Sequence, residues 1–402
     1  MPSLLDEPRR AVEAAARHSY GKLLAFLAAR TRDLAGAEDA LSEAFASALA
    51  TWPTQGVPRA PEAWLLQVAR RKTIDATRRR QVRDAMTEPL LMIARAANDP
   101  AGAIPDERLR LMFACAHPAL DPAVRAPLML QCVLGFDAVA IGAAFLIAPA
   151  AMGQRLVRAK RKIRDAGVPF RVPDPDELAE RLDAVLDAIY TVFTAGWTDP
   201  MLADEAIWLG RLVASLLEHE PEALGLLALM LHVQARRPAR RDAAGEYVPL
   251  AAQDPAAWQD ELIEEAEALL LRAATLARIG RFQLEAAIQS AHAARRLTGR
   301  TAWREIVALY DALWAATGSP VVALNRAVAL GELHGPAAGL AALDAIAGDP
   351  RMAIYQPYWA ARAALQAGLR GAGSDAADAA YARAIALEPD AAVRDFLQRQ
   401  RH

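Results

Sequence analysis

The chain has 402 residues, 46 Lys and Arg against 48 Asp and Glu, a formal charge of −2, and 54% hydrophobic residues. That length exceeds one ordinary domain, and the apolar content excludes wholesale disorder. Abundant Ala and Leu beside only 6% aromatics favour helix over sheet, so the expected fold class is all-α.

The near-zero charge hides an asymmetry: residues 1–172 hold 25 Lys and Arg against 17 Asp and Glu, and the remainder holds 21 against 31. A basic front half suggests an anionic partner there, and the acidic back half shields it in cis or serves solubility. Cys115 and Cys132 are too few to staple the fold and fit a reducing cytoplasm. Met1 to Arg10 has no apolar export segment, and the uncharged stretch between Asp137 and Arg155 is short for a bilayer and interrupted by Gly142, Pro149 and Gly153. A cytoplasmic protein with no membrane partner is expected.

In chain order, Leu23, Leu24 and Leu27 share a face of a first helix. A second follows Asp33, with Leu34, Ala37, Leu41, Ala44, Phe45, Ala48 and Leu49 as its apolar stripe. Trp52-Pro53 and Gly56-Val57-Pro58 are expected to break the chain, which leaves Trp52 better placed for exposure, with packing as the alternative. Pro61 suits the first turn of a third helix through Trp64, Leu65, Val68 and Ile74, ending in Arg70, Arg71, Lys72, Arg78, Arg79, Arg80 and Arg83. Cations near an aromatic suit single-stranded nucleic acid, although Trp64 on the apolar face reads first as core.

A linker is expected over 87–105. Helical spacing returns at Asp106, breaks at the turn residue His117 before Pro118, and resumes from Asp121 to a cap at Gly135. Asp137 then caps a short helix, 138–145, a three-residue turn follows, and Pro149 opens a helix to Asp165, which is helix-turn-helix spacing. Ile141, Phe145, Leu156, Val157 and Ile163 are expected to fill its small core. The second helix starts with Ala150, Ala151, Gly153 and Gln154 and then places Arg155, Arg158, Lys160, Arg161, Lys162 and Arg164 within ten positions. Small residues at the start allow close approach to a major groove; Gln154, Arg155 and Arg158 reach base edges, and the other cations suit phosphates. The prolines at 169, 173 and 175 mark a domain boundary. Beyond it runs a train of amphipathic helices with short breaks, and paired helices at roughly 30–40-residue intervals suggest a helical-repeat array, with alanine-rich helical hairpins that merely pack together as the alternative. Ala377, Tyr381, Ala384 and Pro389 have the spacing of a tetratricopeptide second helix, and 325–343 forms a degenerate second unit.

Taken together, "DLAGAEDALSEAFASALATWP", "APEAWLLQVARRKTIDATRRR", "IPDERLRLMFACAHPALDP" and "AMGQRLVRAKRKIRDAGVPFRVP" resemble an RNA polymerase sigma factor of the extracytoplasmic-function (ECF) group. "ALNRAVALGELHGPAAGLAALDAI" and "AAYARAIALEPDAAVRDFLQRQR" are similar to the subgroup with a tetratricopeptide-like C-terminal extension. The resemblance implies region 2 over 1–86, the linker, region 4 over 106–172 and a regulatory extension over 173–402. It implies core polymerase as partner, with Glu38, Asp39, Leu41, Ser42, Glu43 and Phe45 on the β′ clamp helices and region 4 also touching the β flap. Promoter DNA is the second partner. Trp64, Arg70, Arg71, Lys72, Asp75, Arg78 and Arg79 lie near the melted −10 element, and Ala151, Gln154, Arg155, Arg158, Lys160, Arg161 and Lys162 near the −35 duplex. A protein partner for the extension is a further expectation. Two departures from the family pattern are Ala140-Ile141-Gly142 in place of a Glu-Ile-Ala-like triplet, and Thr194-Ala195-Gly196-Trp197 in place of an Asn-Glu-Gly-Tyr-like segment.

No two of the seven histidines have metal-ligand spacing, and nucleophile elbows and phosphate loops are absent, so no enzyme, cofactor or metal is expected. A helix-turn-helix regulator acting without polymerase, and a repeat scaffold with a basic nucleic-acid-binding half, are the competing readings. Deleting 176–402 is expected to change transcription strength and leave a folded front half.

Overall fold

The computed structural model describes residues 6–81, 106–145, 147–197, 200–370 and 375–401. The expected linker at 87–105 lies outside them, as do the side chains of Asp75, Arg78 and Arg79. Every regular element among the described residues is a helix, apart from one isolated bridge between Arg241 and Tyr247. The all-α expectation holds. The chain divides into two compact units, Met1–Leu209 and Gly210–His402.

The front unit begins with α1 (Asp6–Thr31), α2 (Leu34–Gln55) and α3 (Pro61–Gln81). Asp33 caps α2 by accepting from the Gly36 N–H. Contrary to expectation, α2 runs through Trp52-Pro53 and ends at Gly56, whose φ of 83° suits only glycine without strain. Pro53 lies in the last turn, where it forfeits one hydrogen bond and does not break the helix. Trp52 is correspondingly buried, at 1% exposure, with Trp64 edge-on to it at 5.5 Å.

Among the described residues, the next helices are α4 (Arg108–Cys115), α5 (Pro122–Leu134), α6 (Ala138–Ala144) and α7 (Pro149–Asp165). His117 is a turn residue as expected, its Nδ1 accepting from the Ala119 N–H at 3.1 Å. The unit is one core because α1 is enclosed. Its residues Leu23 to Ala28 are all buried, so that stretch has no solvent face; α2 and α3 pack against the helix, and so do α4 and α5. At Gly21 a Cβ would stand 2.0 Å from the Val133 carbonyl oxygen, so glycine is what lets α1 cross the end of α5.

The unit also extends past the proline-rich segment that suggested a boundary at 172/173. Helix α8 (Pro175–Ala195) packs on α4 and α5, and Arg181 donates to the Phe113 carbonyl at 3.1 Å. After it, α9 (Pro200–Leu216) begins with a close return: a Cβ on buried Gly196 would lie 2.5 Å from the Ala203 nitrogen. The glycine of Thr194-Ala195-Gly196-Trp197 therefore serves the turn, while Trp197 is half exposed.

The second unit is centred on α10 (Pro221–Ala235), buried without interruption from Ala223 to His232. Helices α11 (Asp260–Thr275) and α12 (Arg281–Ala293) pack on it; the short α13 (Arg295–Thr298), α14 (Trp303–Thr317), α15 (Pro320–His334), α16 (Pro336–Asp344), α17 (Gln356–Arg370), α18 (Asp375–Leu387) and α19 (Ala391–Arg401) follow. Successive helices pair. Gly331 and Gly339 bring α15 and α16 together so closely that a Cβ on Gly339 would be 3.0 Å from the Gly331 Cα. Ala377, Tyr381 and Ala384 form the buried face of α18. An open array would leave its ends apart; here the connection after α10 meets the last helices through Arg241–Asp390 at 2.8 Å, Arg399–Glu246 at 3.1 Å and the Tyr247–Phe396 ring contact. No single helix among the described residues is long and apolar enough to cross a membrane.

Candidate nucleic-acid interface

Helices α6 and α7 have axes 109° apart. Asp137 caps α6 by accepting from the Val139 and Ala140 N–H groups. Gly142 makes the turn tight: its carbonyl accepts from the Ile147 N–H at 2.8 Å, and a Cβ there would sit 2.6 Å from the Ile147 oxygen. Glycine in Ala140-Ile141-Gly142 is thus set by space, where the family-like alanine would collide.

Helix α7 opens on Pro149 with no side-chain cap, so its first N–H groups are open to a partner. Its inward face is Met152, Leu156, Ala159, Lys160 and Ile163. Val157, expected in the core, is 63% exposed, because it stands about 100° round the helix from Leu156. Phe145 is partly buried and Ile141 fully so. The outward face carries Ala151, Gln154, Arg155, Arg158, Arg161, Lys162 and Arg164. Arg161 and Arg164 share Asp165 at 3.2 and 3.3 Å in solvent, an arrangement of little energetic weight.

Lys160 departs from the expected set. It is buried, and its Nζ donates to Glu38 Oε2 on α2. That pairing joins a residue assigned to DNA with one assigned to polymerase. Sequence reasoning named both and missed the pairing; the available signal was Lys160's place in the stripe Met152, Leu156, Ala159 and Ile163.

On α2, Asp39, Ser42 and Glu43 are exposed, Leu41 is in the core, and Phe45 is partly buried and stacks on Tyr20 with centroids 6.3 Å apart. Burial, with Glu38 and Asp39 nearby, pushes the Tyr20 phenol far above its ordinary pKa and keeps it neutral. On α3, Arg71 is exposed, Lys72 pairs with Glu43 at 2.9 Å, and the Arg70 guanidinium lies 5.0 Å from the Phe26 ring centroid. Trp64 is half-buried against Trp52. The structure thus gathers Arg70, Arg71 and Lys72 at the middle of α3 and the α7 cations on a second helix of the same unit.

Residues 16–83 match the family described as Sigma-70 region 2, and residues 181–274 match a family of unknown function, DUF6596. The chain is 38% identical over 405 residues to an uncharacterized protein of Rhizobium meliloti (strain 1021), an alignment covering 97% of this chain and 94% of that protein. No solved structure matches.

Proposed function

We propose, from the match of residues 16–83 to Sigma-70 region 2, that the chain is an ECF-type sigma factor of the sigma-70 family that directs promoter-specific transcription initiation. The observation that carries the second DNA contact is the outward row Gln154, Arg155, Arg158 and Lys162 on a helix with an uncapped start, held at 109° to the helix before it. In this reading α6 and α7 are region 4, and α7 enters the −35 major groove with Ala151 at its leading end. Region 2 meets the polymerase clamp through Asp39, Ser42 and Glu43. It lays Trp64, Arg70, Arg71, Lys72, Asp75, Arg78 and Arg79 along the melted −10 strand, where cations follow phosphates and an aromatic edge meets bases. The protein acts by binding and does no chemistry on its partners. The acidic second unit tunes that binding in cis.

Co-purification with core polymerase followed by run-off transcription tests the reading. A promoter-dependent transcript is the expected result; duplex binding without any association with core would favour a regulator that works alone. Within this frame, Arg158→Ala is expected to weaken −35 duplex binding by about 1–3 kcal/mol with relaxed preference if it touches a base. A uniform loss, with the salt slope shallower by about one, marks a phosphate contact. Titrations of matched and scrambled duplexes at several salt concentrations separate the two.

A further inference from the structure

We propose that the second unit carries a recognition site for a small molecule bearing a carboxylate or phosphate group, seated on the Arg236 guanidinium among Gln289, His292 and Tyr310. The site lies wholly within Gly210–His402 and stands apart from the sigma reading above.

Arg236 follows directly on α10 and is 8% exposed. Its Nη2 donates to Gln289 Oε1 on α12, while its buried Nη1 has no hydrogen-bond partner, and no carboxylate among the described residues pairs with it. The other arginines of this acid-rich unit differ: Arg211 pairs with Glu265, Arg296 with Asp260 and Arg362 with Asp344, all of them more exposed. The most deeply buried arginine among the described residues is thus left without a counter-ion, although a guanidinium out of water needs one most. Burial, with Arg240 and Arg295 nearby, pushes its pKa down to about 10, so it stays charged at neutral pH. The surroundings supply donors. His232 stands four residues earlier on the same helix face, and neither of its ring nitrogens has a hydrogen-bond partner. His292 and the Tyr310 phenol both lie within electrostatic reach of Arg236. Carboxylates on the adjoining helices are engaged elsewhere, Glu285 with Arg281 and Glu267 with the Ser290 hydroxyl. Gln289, His292 and Tyr310 are each partly exposed, which puts the guanidinium one layer below the surface. A single oxyanion there accepts from Nη1, from an imidazole N–H and from the phenol O–H, and the buried charge gains its counter-ion. One guanidinium balances one anionic group, which sets the ligand class as a small carboxylate or phosphate ester and not a polyanion such as nucleic acid.

The test unfolds the full-length chain with urea at neutral pH across a titration of inorganic phosphate and, separately, of acetate, each against sodium chloride of equal ionic strength. An anion that binds only the folded chain raises the midpoint with the logarithm of its concentration, whereas general salting-out rises linearly. Wild type should show the logarithmic rise with at least one of the two anions, and the anion that responds distinguishes a phosphate ligand from a carboxylate one. Arg236→Met should lose that rise and, without added anion, fold at least as stably as wild type, because methionine fills the space and leaves no charge unpaired. Tyr310→Phe should keep the fold and bind the responding anion about fivefold more weakly in a calorimetric titration. Arg211→Gln, at an arginine already paired with Glu265, should leave the response unchanged. A response equal in wild type and Arg236→Met overturns the site. So does a wild type in which neither anion differs from chloride, the result expected if water alone satisfies Nη1. Should Arg236→Met not fold, an undiminished affinity in Tyr310→Phe overturns it.

Discussion

A chain cut after Val172 is expected to lose its folded front unit, and one cut after Leu209 to keep it. The proline-rich segment looks like a boundary, yet α8 lies beyond it and buries Leu182, Val185, Leu186, Ile189 and Val192. At about 1.5–3 kcal/mol per buried aliphatic side chain, their gross contribution rivals the whole stability of a domain, even after the cost of ordering the helix. Two polar ties add to it: Arg181 on the Phe113 carbonyl, and Arg108 stacked 4.7 Å from the Trp208 ring centroid. The fragment 1–209 should show a cooperative melt and bind −35 duplex. The fragment 1–172 should aggregate or melt without cooperativity. Equal stability of the two would mean that α8 is an appendage. Any regulatory effect of the second unit is therefore better measured against 1–209 than against the shorter fragment.

The second unit is expected to lose stability steeply as the medium turns mildly acidic. His232 is 1% exposed on α10, and burial, reinforced by Arg236 and Arg296, pushes its pKa down to about 3. Glu267 does not rescue it: its Oε1 is 3.5 Å from Nε2 and accepts instead from the Ser290 hydroxyl at 2.6 Å. His292, edge-on to Trp303, is lowered to about 4 by burial and by Arg236 and Arg295. Both imidazoles are neutral in the fold, while the unfolded chain takes up protons below about pH 6.5. Stability is thus complete above that pH and falls as pH drops toward 4 and then 3, by about 2 kcal/mol per histidine at pH 5. Urea titrations of the full chain at pH 7 and pH 5 measure the loss, and His232→Gln should remove about half of it. A pH-independent midpoint would contradict the burial argument.

Much of this was legible beforehand because it is local. Apolar spacing of three and four gave the helices, and Asp33, Asp137, Gly135 and Pro149 gave their ends, since caps and turn residues act on the nearest few peptides. The exposed cations of α7 followed from the same period. Errors arose where a local signal met a distant neighbour. Pro53 reads as a breaker, but in the last turn of a helix it removes little. Trp52 reads as exposed at a break and is buried by the helix across from it.

The sequence by itself determined an all-helical chain with two basic helices in its front half and an acidic remainder, because helix propensity, periodicity and charge are properties of short windows. Only the tertiary structure decided that Leu23 to Ala28 are wrapped on every side, that the front unit ends at Leu209, and that Lys160 turns inward to Glu38. Those outcomes depend on which surfaces meet across more than a hundred residues, and burial makes a charge choose a partner that no spacing rule along the chain identifies.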